Sequence, residues 1–253
     1  MLALIDRHAL SLLAALCLIH GLAMAPPAGG LGASGLLRPA VAVVVGVLVL
    51  RASDAQTPAV QIPWPWLIGP VLLLWWPSRV APWLALSAVA AVGWRGAPSI
   101  WALALGLAGR ELIAGVGLKL GATWFLAFDA QLAAALTHLP GLTTASAFGN
   151  VLSTPLSTGA THRVVVLIDC AGLGVVSIGV LAWMAGVCLA GRRTTARLAC
   201  IVALSLLTLN SARIAAMTQS PSAWESAHHG AGASLVLVLE LAVIAAAVLR
   251  APR

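Results

Sequence analysis

Residues 164–193 read VVVLIDCAGLGVVSIGVLAWMAGVCLAGRR, an apolar run over 164–190 closed by Arg192 and Arg193. A helix needs about 20 residues to cross the hydrocarbon of a bilayer. The run therefore predicts a transmembrane helix with its basic end at Arg192 and with Asp169 and Cys170 toward the opposite end. Two more runs of this kind follow, at 197–217 and 231–249, and six precede it, at 8–25, 36–51, 64–77, 80–94, 98–118 and 120–138.

The composition agrees with that reading. The chain has 253 residues, of which 61% are hydrophobic and 8% charged, far from the roughly 25% charged of a soluble domain. Strict alternation of polar and apolar residues, the mark of a membrane barrel strand, is absent. The expected fold is all-α: one polytopic transmembrane helical bundle over 1–253, with N-terminal helices in 1–139 and the motif-bearing helices and outer loops in 140–253. A net charge of +7 does not point to nucleic acid, because the arginines are dispersed between apolar runs and form no basic stripe. Asp6-Arg7, an apolar stretch and Ala23-Met24-Ala25 before Pro26 loosely resemble a cleavable leader. In a chain this rich in alanine and later spans, an uncleaved first helix is the expectation.

Breaks fall at Pro26-Pro27 with Gly29-Gly30, at 52–61, at Pro77-Ser78 and across the Gly/Ser/Thr-rich stretch 140–162. Trp64, Trp66, Trp75, Trp76, Trp83, Trp94 and Trp101 sit at proposed span ends, where indole rings anchor to headgroups. Arg192, Arg193 and Arg197 fill one short loop, and Arg250 and Arg253 follow the last span, so both places are expected on the cytoplasmic side. Cys170 lies 22 residues before Arg192, about 33 Å of helix, and so reaches the opposite surface. The same counting from Arg197 puts Arg213 near the outer end of its span, with 218–230 as an outer loop carrying His228 and His229. With Arg7 inside and 140–162 outside, one of the six upstream runs is not a full crossing. The short 64–77 or one of the pair 98–118 and 120–138 fits that part, which leaves about eight spans.

A thiol, a permanent cation and an imidazole thus converge at one membrane surface, a set suited to acyl transfer. The thiolate is the nucleophile, and a neighbouring cation or imidazolium favours it. Arg213 supplies lasting positive charge, either toward the thiolate or toward the oxyanion of a tetrahedral intermediate, and His228 exchanges protons near neutrality. Cys17, Cys188 and Cys200 lie within apolar runs as ordinary small core residues. With no C-x-x-C pair, no H-E-x-x-H and no G-x-S-x-G, nothing implies a metal, a cofactor or a serine nucleophile. Glu240 and the Arg110-Glu111 pair interrupt apolar stretches, and structural pairing inside the bundle is expected for them.

The stretches Ile168-Asp169-Cys170-Ala171-Gly172, Asn210-Ser211-Ala212-Arg213-Ile214 and His228-His229-Gly230-Ala231-Gly232 resemble the exosortase/archaeosortase family of membrane transpeptidases. That family shows a C-S-G type motif, an N-x-x-R-I motif and an H-x-x-x-G motif in this order on late spans. Gly149-Asn150-Val151 also looks like the family's approach to its cysteine. The resemblance covers mainly 140–249. It implies Cys170 as nucleophile, His228 as proton-transfer partner and Arg213 as stabiliser, with His229, Asn210, Asp169 and Gly172 in support. Its implied substrates are exported proteins ending in a PEP-CTERM-like sorting signal: a short motif, a transmembrane helix and a basic tail. They would be cut at the outer face of the cytoplasmic membrane through a thioester and passed to an acceptor whose identity the resemblance does not supply. Ala171 stands where the family has serine, the arginine often found after Gly172 is missing, and His229 beside His228 leaves two histidines to choose between. His228 is favoured by the spacing to Gly232, and Asp169 is expected to cap the helix start. Two other readings remain open: a transporter lined by Arg110, Glu111, Arg213 and Glu240, and a non-enzymatic assembly component of an envelope exopolysaccharide system.

Overall fold

The computed structural model describes residues 4–5, 7–24, 33–52, 62–63, 65–94, 97–114 and 118–253. The expected breaks at 26–30 and 53–61, and Trp64, lie outside them. Helices α1 (Arg7–Ala23), α2 (Ala33–Ala52), α3 (Pro65–Trp75), α4 (Ala81–Gly93), α5 (Pro98–Leu112) and α6 (Leu118–Leu136) come first, with β1 (Leu4–Ile5) pairing antiparallel to β2 (Ile62–Pro63). Strands β3 (Ser146–Phe148), β4 (Val151–Pro155) and β5 (Thr161–Val165) follow, then a single 3-10 turn at Ile168–Cys170. The chain ends in α7 (Gly172–Leu189), α8 (Ala196–Met217), α9 (Pro221–His228) and α10 (Ala231–Arg250).

Among the described residues three helices, α7, α8 and α10, are long and apolar enough to cross a membrane. Eight full spans are therefore not what the structure supports. Helix α3 has 11 residues and α4 has 13, about 16 and 20 Å of helix against a core of about 30 Å.

The fold is mostly helical but not all-α. The stretch 140–162, expected to be irregular, builds an antiparallel sheet of order β3-β4-β5. Its inner face buries Leu152 and Val164 beside Thr154, so five-residue strands suffice once α6 supplies the other wall. The run 164–190 is likewise not one helix, because strand and 3-10 turn occupy its first residues and α7 starts only at Gly172.

Among the described residues three apolar clusters hold the chain together. The first joins α1, α2, α4 and α5 to Ile178, Leu181 and Ala185 of α7. The second joins α7 to α8 and α10 around Trp183, Val202, Leu206 and Ile244. The third sets the sheet on α6, α8 and α9 through Leu126, Ala130, Leu152, Val164, Ile214 and Met217. Helix α7 thus serves two cores, and its small residues let neighbours come close: a Cβ on Gly179 would lie 2.3 Å from Leu206 Cδ1.

Trp83 and Trp101 are core residues rather than interfacial anchors, 3% and 4% exposed, each packed where a glycine, Gly21 or Gly93, leaves room for the indole. Trp66, Trp75, Trp76 and Trp94 remain exposed as the anchor reading expects. Arg38 and Arg110 both engage Glu111, the former at 2.6 Å, which supplies the intrabundle partners that buried charges require. At the basic end, Arg192 Nη1 donates to the carbonyls of Leu249 and Ala251 at 2.8 and 2.7 Å. The ends of α7 and α10 therefore share one end of the bundle, as the spacing of arginines implied.

Candidate active site

The site begins with a hairpin. Gly149 takes a positive φ of 56°, a conformation open to glycine at little cost, and Asn150 beside it binds Val166 twice: Val166 N–H donates to the Asn150 carbonyl at 2.8 Å and Asn150 Nδ2 donates to the Val166 carbonyl at 3.0 Å. This clamp aims the chain leaving β5 into the 3-10 turn, where Cys170 N–H donates to the Leu167 carbonyl at 2.9 Å. Asn210, 1% exposed on α8, donates from Nδ2 to the Cys170 carbonyl at 3.0 Å. The backbone of Cys170 is held from both sides.

Helix α7 starts two residues later. Its first N–H, on Gly172, donates to Asp129 Oδ2 of α6 at 2.7 Å, so a neighbouring helix satisfies one of the orphan donors of the helix start. The side chain of Asp169, expected in that capping role, lies outside the described residues. A Cβ on Gly172 would come 2.7 Å from Asp129 Oδ1 and 2.8 Å from Leu207 Cδ1. Gly172→Ala is accordingly expected to lower stability by about 1–3 kcal/mol through overpacking, read as a fall in the thermal midpoint of the purified protein in detergent.

The segment 218–230, expected as a loop, contains α9. Ser220 caps it, its hydroxyl accepting from Ala223 N–H at 3.1 Å, and Pro221 fills the first helical position, a start signal of the usual kind. One helical turn separates Trp224 from His228, and their rings stack at 4.8 Å between centroids with 15° between planes. The imidazole so held places Nε2 3.8 Å from Cys170 Sγ. Its other nitrogen, Nδ1, lies 2.8 Å from His229 Nε2, so one proton is shared between the two rings. Burial pushes the His228 imidazole below its ordinary value, the charges of His229 and Arg213 push it further, and Glu225 opposes them. Neutral His228, a base able to take a proton from sulfur, is favoured.

Arg213 reaches the same place from α8: its Nε donates to the Ala227 carbonyl at 2.9 Å, pinning the last turn of α9 and bringing its charge to bear on His228. Beneath it Glu240 of α10, 1% exposed, interacts electrostatically with the guanidinium. Arg213→Lys keeps the charge but loses the planar fork. A fall in turnover of about a hundredfold is expected where such a donor serves the transition state, measured as rate of substrate processing. Gly232 belongs to the packing of this corner, since a Cβ there would sit 3.1 Å from the Ser226 carbonyl oxygen.

The structure thus brings together Cys170, His228, His229, Asn210, Gly172 and Arg213. It also adds three partners beyond the expected set. Trp224 falls in the expected loop 218–230, although W-x-x-x-H is a one-turn helical spacing. Asp129 was a lone acid in an apolar run, a signal in its own right. The Ala227 carbonyl carries no sequence signal at all. Arg38 and Arg110 engage Glu111, whereas Arg213 meets Glu240 and the backbone of α9. Among the described residues no group of three or more His, Cys, Asp or Glu side chains is placed to hold a metal ion. No family model, characterised protein or solved structure matches the chain.

Proposed function

We propose that this chain is a membrane cysteine peptidase or transpeptidase of the exosortase type, acting on exported proteins that end in a short motif, a transmembrane helix and a basic tail. The observation that carries the reading is the 3.8 Å approach of His228 Nε2 to Cys170 Sγ, with the second ring nitrogen engaged by His229. This is the nucleophile–base–orienter arrangement of acyl transfer.

In the proposed reaction Sγ attacks the scissile carbonyl carbon while its proton passes to His228 Nε2, and His228 Nδ1–H donates to His229 Nε2. The C–N bond then breaks and the departing amine takes the proton from His228. A thioester remains on Cys170. An acceptor amine or water attacks it, giving up a proton to His228, and the thiol is restored when that proton returns to sulfur. Arg213 supports the negative charge that develops at oxygen and keeps His228 neutral at rest. Helix α7 adds its N-terminal dipole beside the sulfur. The protein is read as multi-pass in the cytoplasmic membrane, with Arg192, Arg193, Arg250 and Arg253 inside and the cysteine at the outer face.

The test is co-expression of a tagged protein carrying such a C-terminal signal, scored for shortening and for a hydroxylamine-sensitive adduct with the enzyme. Shortening and adduct that both require Cys170 support the proposal. An intact substrate that has reached the membrane beside folded wild-type enzyme counts against it.

A further inference from the structure

In the order β3-β4-β5 the outer strands are the three-residue β3, which packs against α6, and β5, which among the described residues has β4 on one flank and no strand on the other. The phase of β5 follows from the bonds at both ends of the ladder. Leu156 N–H donates to the Ala160 carbonyl at 2.8 Å, and Val166 N–H donates to the Asn150 carbonyl at 2.8 Å. Antiparallel pairing alternates. Residues 160, 162, 164 and 166 therefore spend their backbone groups on β4, and Thr161, Arg163 and Val165 turn theirs outward.

The side chains along this edge change character toward the nucleophile. Thr161 and Arg163 are exposed and polar, while Val165, Leu167 and Ile168 are 51%, 58% and 45% exposed. An apolar strip rimmed by polar groups and ending at a thiol marks a recognition surface. Protection against pairing is slight: β5 contains no proline and no lysine, and Arg163 is its one arginine. The strand cannot lie in hydrocarbon with that edge bare, so the edge faces water.

We propose that an extended segment of the protein substrate adds to β5 as a fourth strand and is thereby led to Cys170. The inference rests on the proposed function and names how that site takes its substrate. Strand addition supplies affinity through main-chain bonds and leaves specificity to alternate side chains. It also straightens the peptide, which presents a carbonyl to sulfur. Thr161–Val165 covers about 16 Å, and Cys170 lies five residues further on, so a segment of about eight residues would span edge and thiol.

The experiment first maps the cleavage site in the tagged substrate, then uses an octapeptide covering it. Val165→Pro removes one outward N–H and leaves the bonds to β4 in place, a substitution that edge positions tolerate. It is expected to raise KM about two- to tenfold, the range for one backbone hydrogen bond, with kcat and the alkylation of Cys170 by iodoacetamide close to wild type. Independently, replacing each amide of the peptide by an ester, one at a time, should raise KM at alternate positions only. That scan uses wild-type enzyme and decides the matter even if the proline variant does not fold. A flat scan, or an unchanged KM in folded Val165→Pro, overturns strand addition while leaving the peptidase intact. A dimer that becomes monomeric in Val165→Pro with KM unchanged overturns it too and assigns the edge to a second copy. Failure of wild type to cleave the parent substrate overturns the peptidase reading itself.

Discussion

Cys170→Ala is expected to abolish substrate shortening and adduct formation together, a loss on the order of 10⁴-fold or more, because no other group of the site can form the thioester. The protein itself should survive. Cys170 is half-buried and its turn is held by backbone bonds to Leu167 and Asn210, so removing sulfur should change stability by less than about 1 kcal/mol. Size-exclusion profile and thermal midpoint in detergent check the second half of the expectation. Cys170→Ser should be nearly as inactive, since His228 would have to deprotonate a far weaker acid. Undiminished processing by folded Cys170→Ala would remove the nucleophile from the proposal and leave the transporter and assembly readings as the alternatives to pursue.

His228→Ala is expected to cost about 10²- to 10⁴-fold in kcat, the usual worth of a positioned acid–base group. His229→Ala should cost less, about tenfold, because it removes the acceptor for Nδ1–H but not the base. The pH profile separates these roles. The reactive form of the base is neutral imidazole, which prevails above its pKa and is lost as pH falls through it. Because burial, His229 and Arg213 hold that pKa below the ordinary 6.5, the acid limb of kcat should lie below pH 6.5. In His229→Ala, with one of the depressing charges gone, the limb should move up toward 6.5. A limb that stays in place while His229→Ala slows turnover would mean that another group sets the profile.

Much of the molecule could be read from residue types and spacing. The runs 197–217 and 231–249 became α8 and α10 within one residue at each end, because long apolar stretches bounded by arginine, Gly230 and Pro252 leave little ambiguity. The convergence of Cys170, Arg213 and His228 followed from helix rise and arginine placement. What escaped were the short elements. Strands of three and five residues in a Gly/Ser/Thr-rich stretch have too few apolar positions to announce a period, and they are stable only because α6 and α8 cover one face. Helix α9 has eight residues and a mostly polar composition, and its tertiary contacts with α8 and α10 hold it. The N-terminal runs do not translate into as many spans for a related reason: apolar composition marks burial in a bundle as readily as burial in lipid, and helices as short as α3 and α4 fit the first better than the second.

The bond between Asp129 and the first N–H of α7 also bears on how the protein is made. Helix α6 leaves the ribosome before α7, and on its own it carries a carboxylate amid apolar residues, Phe128 and Ala130 on either side, which opposes stable entry into lipid. That opposition ends when the start of α7 arrives and supplies Gly172 N–H. Docking of α6 on α7 is thereby tied to the helix start that follows the turn bearing Cys170. A chain in which α7 has yet to dock on α6 carries Cys170 without the contact that fixes the helix start beside it.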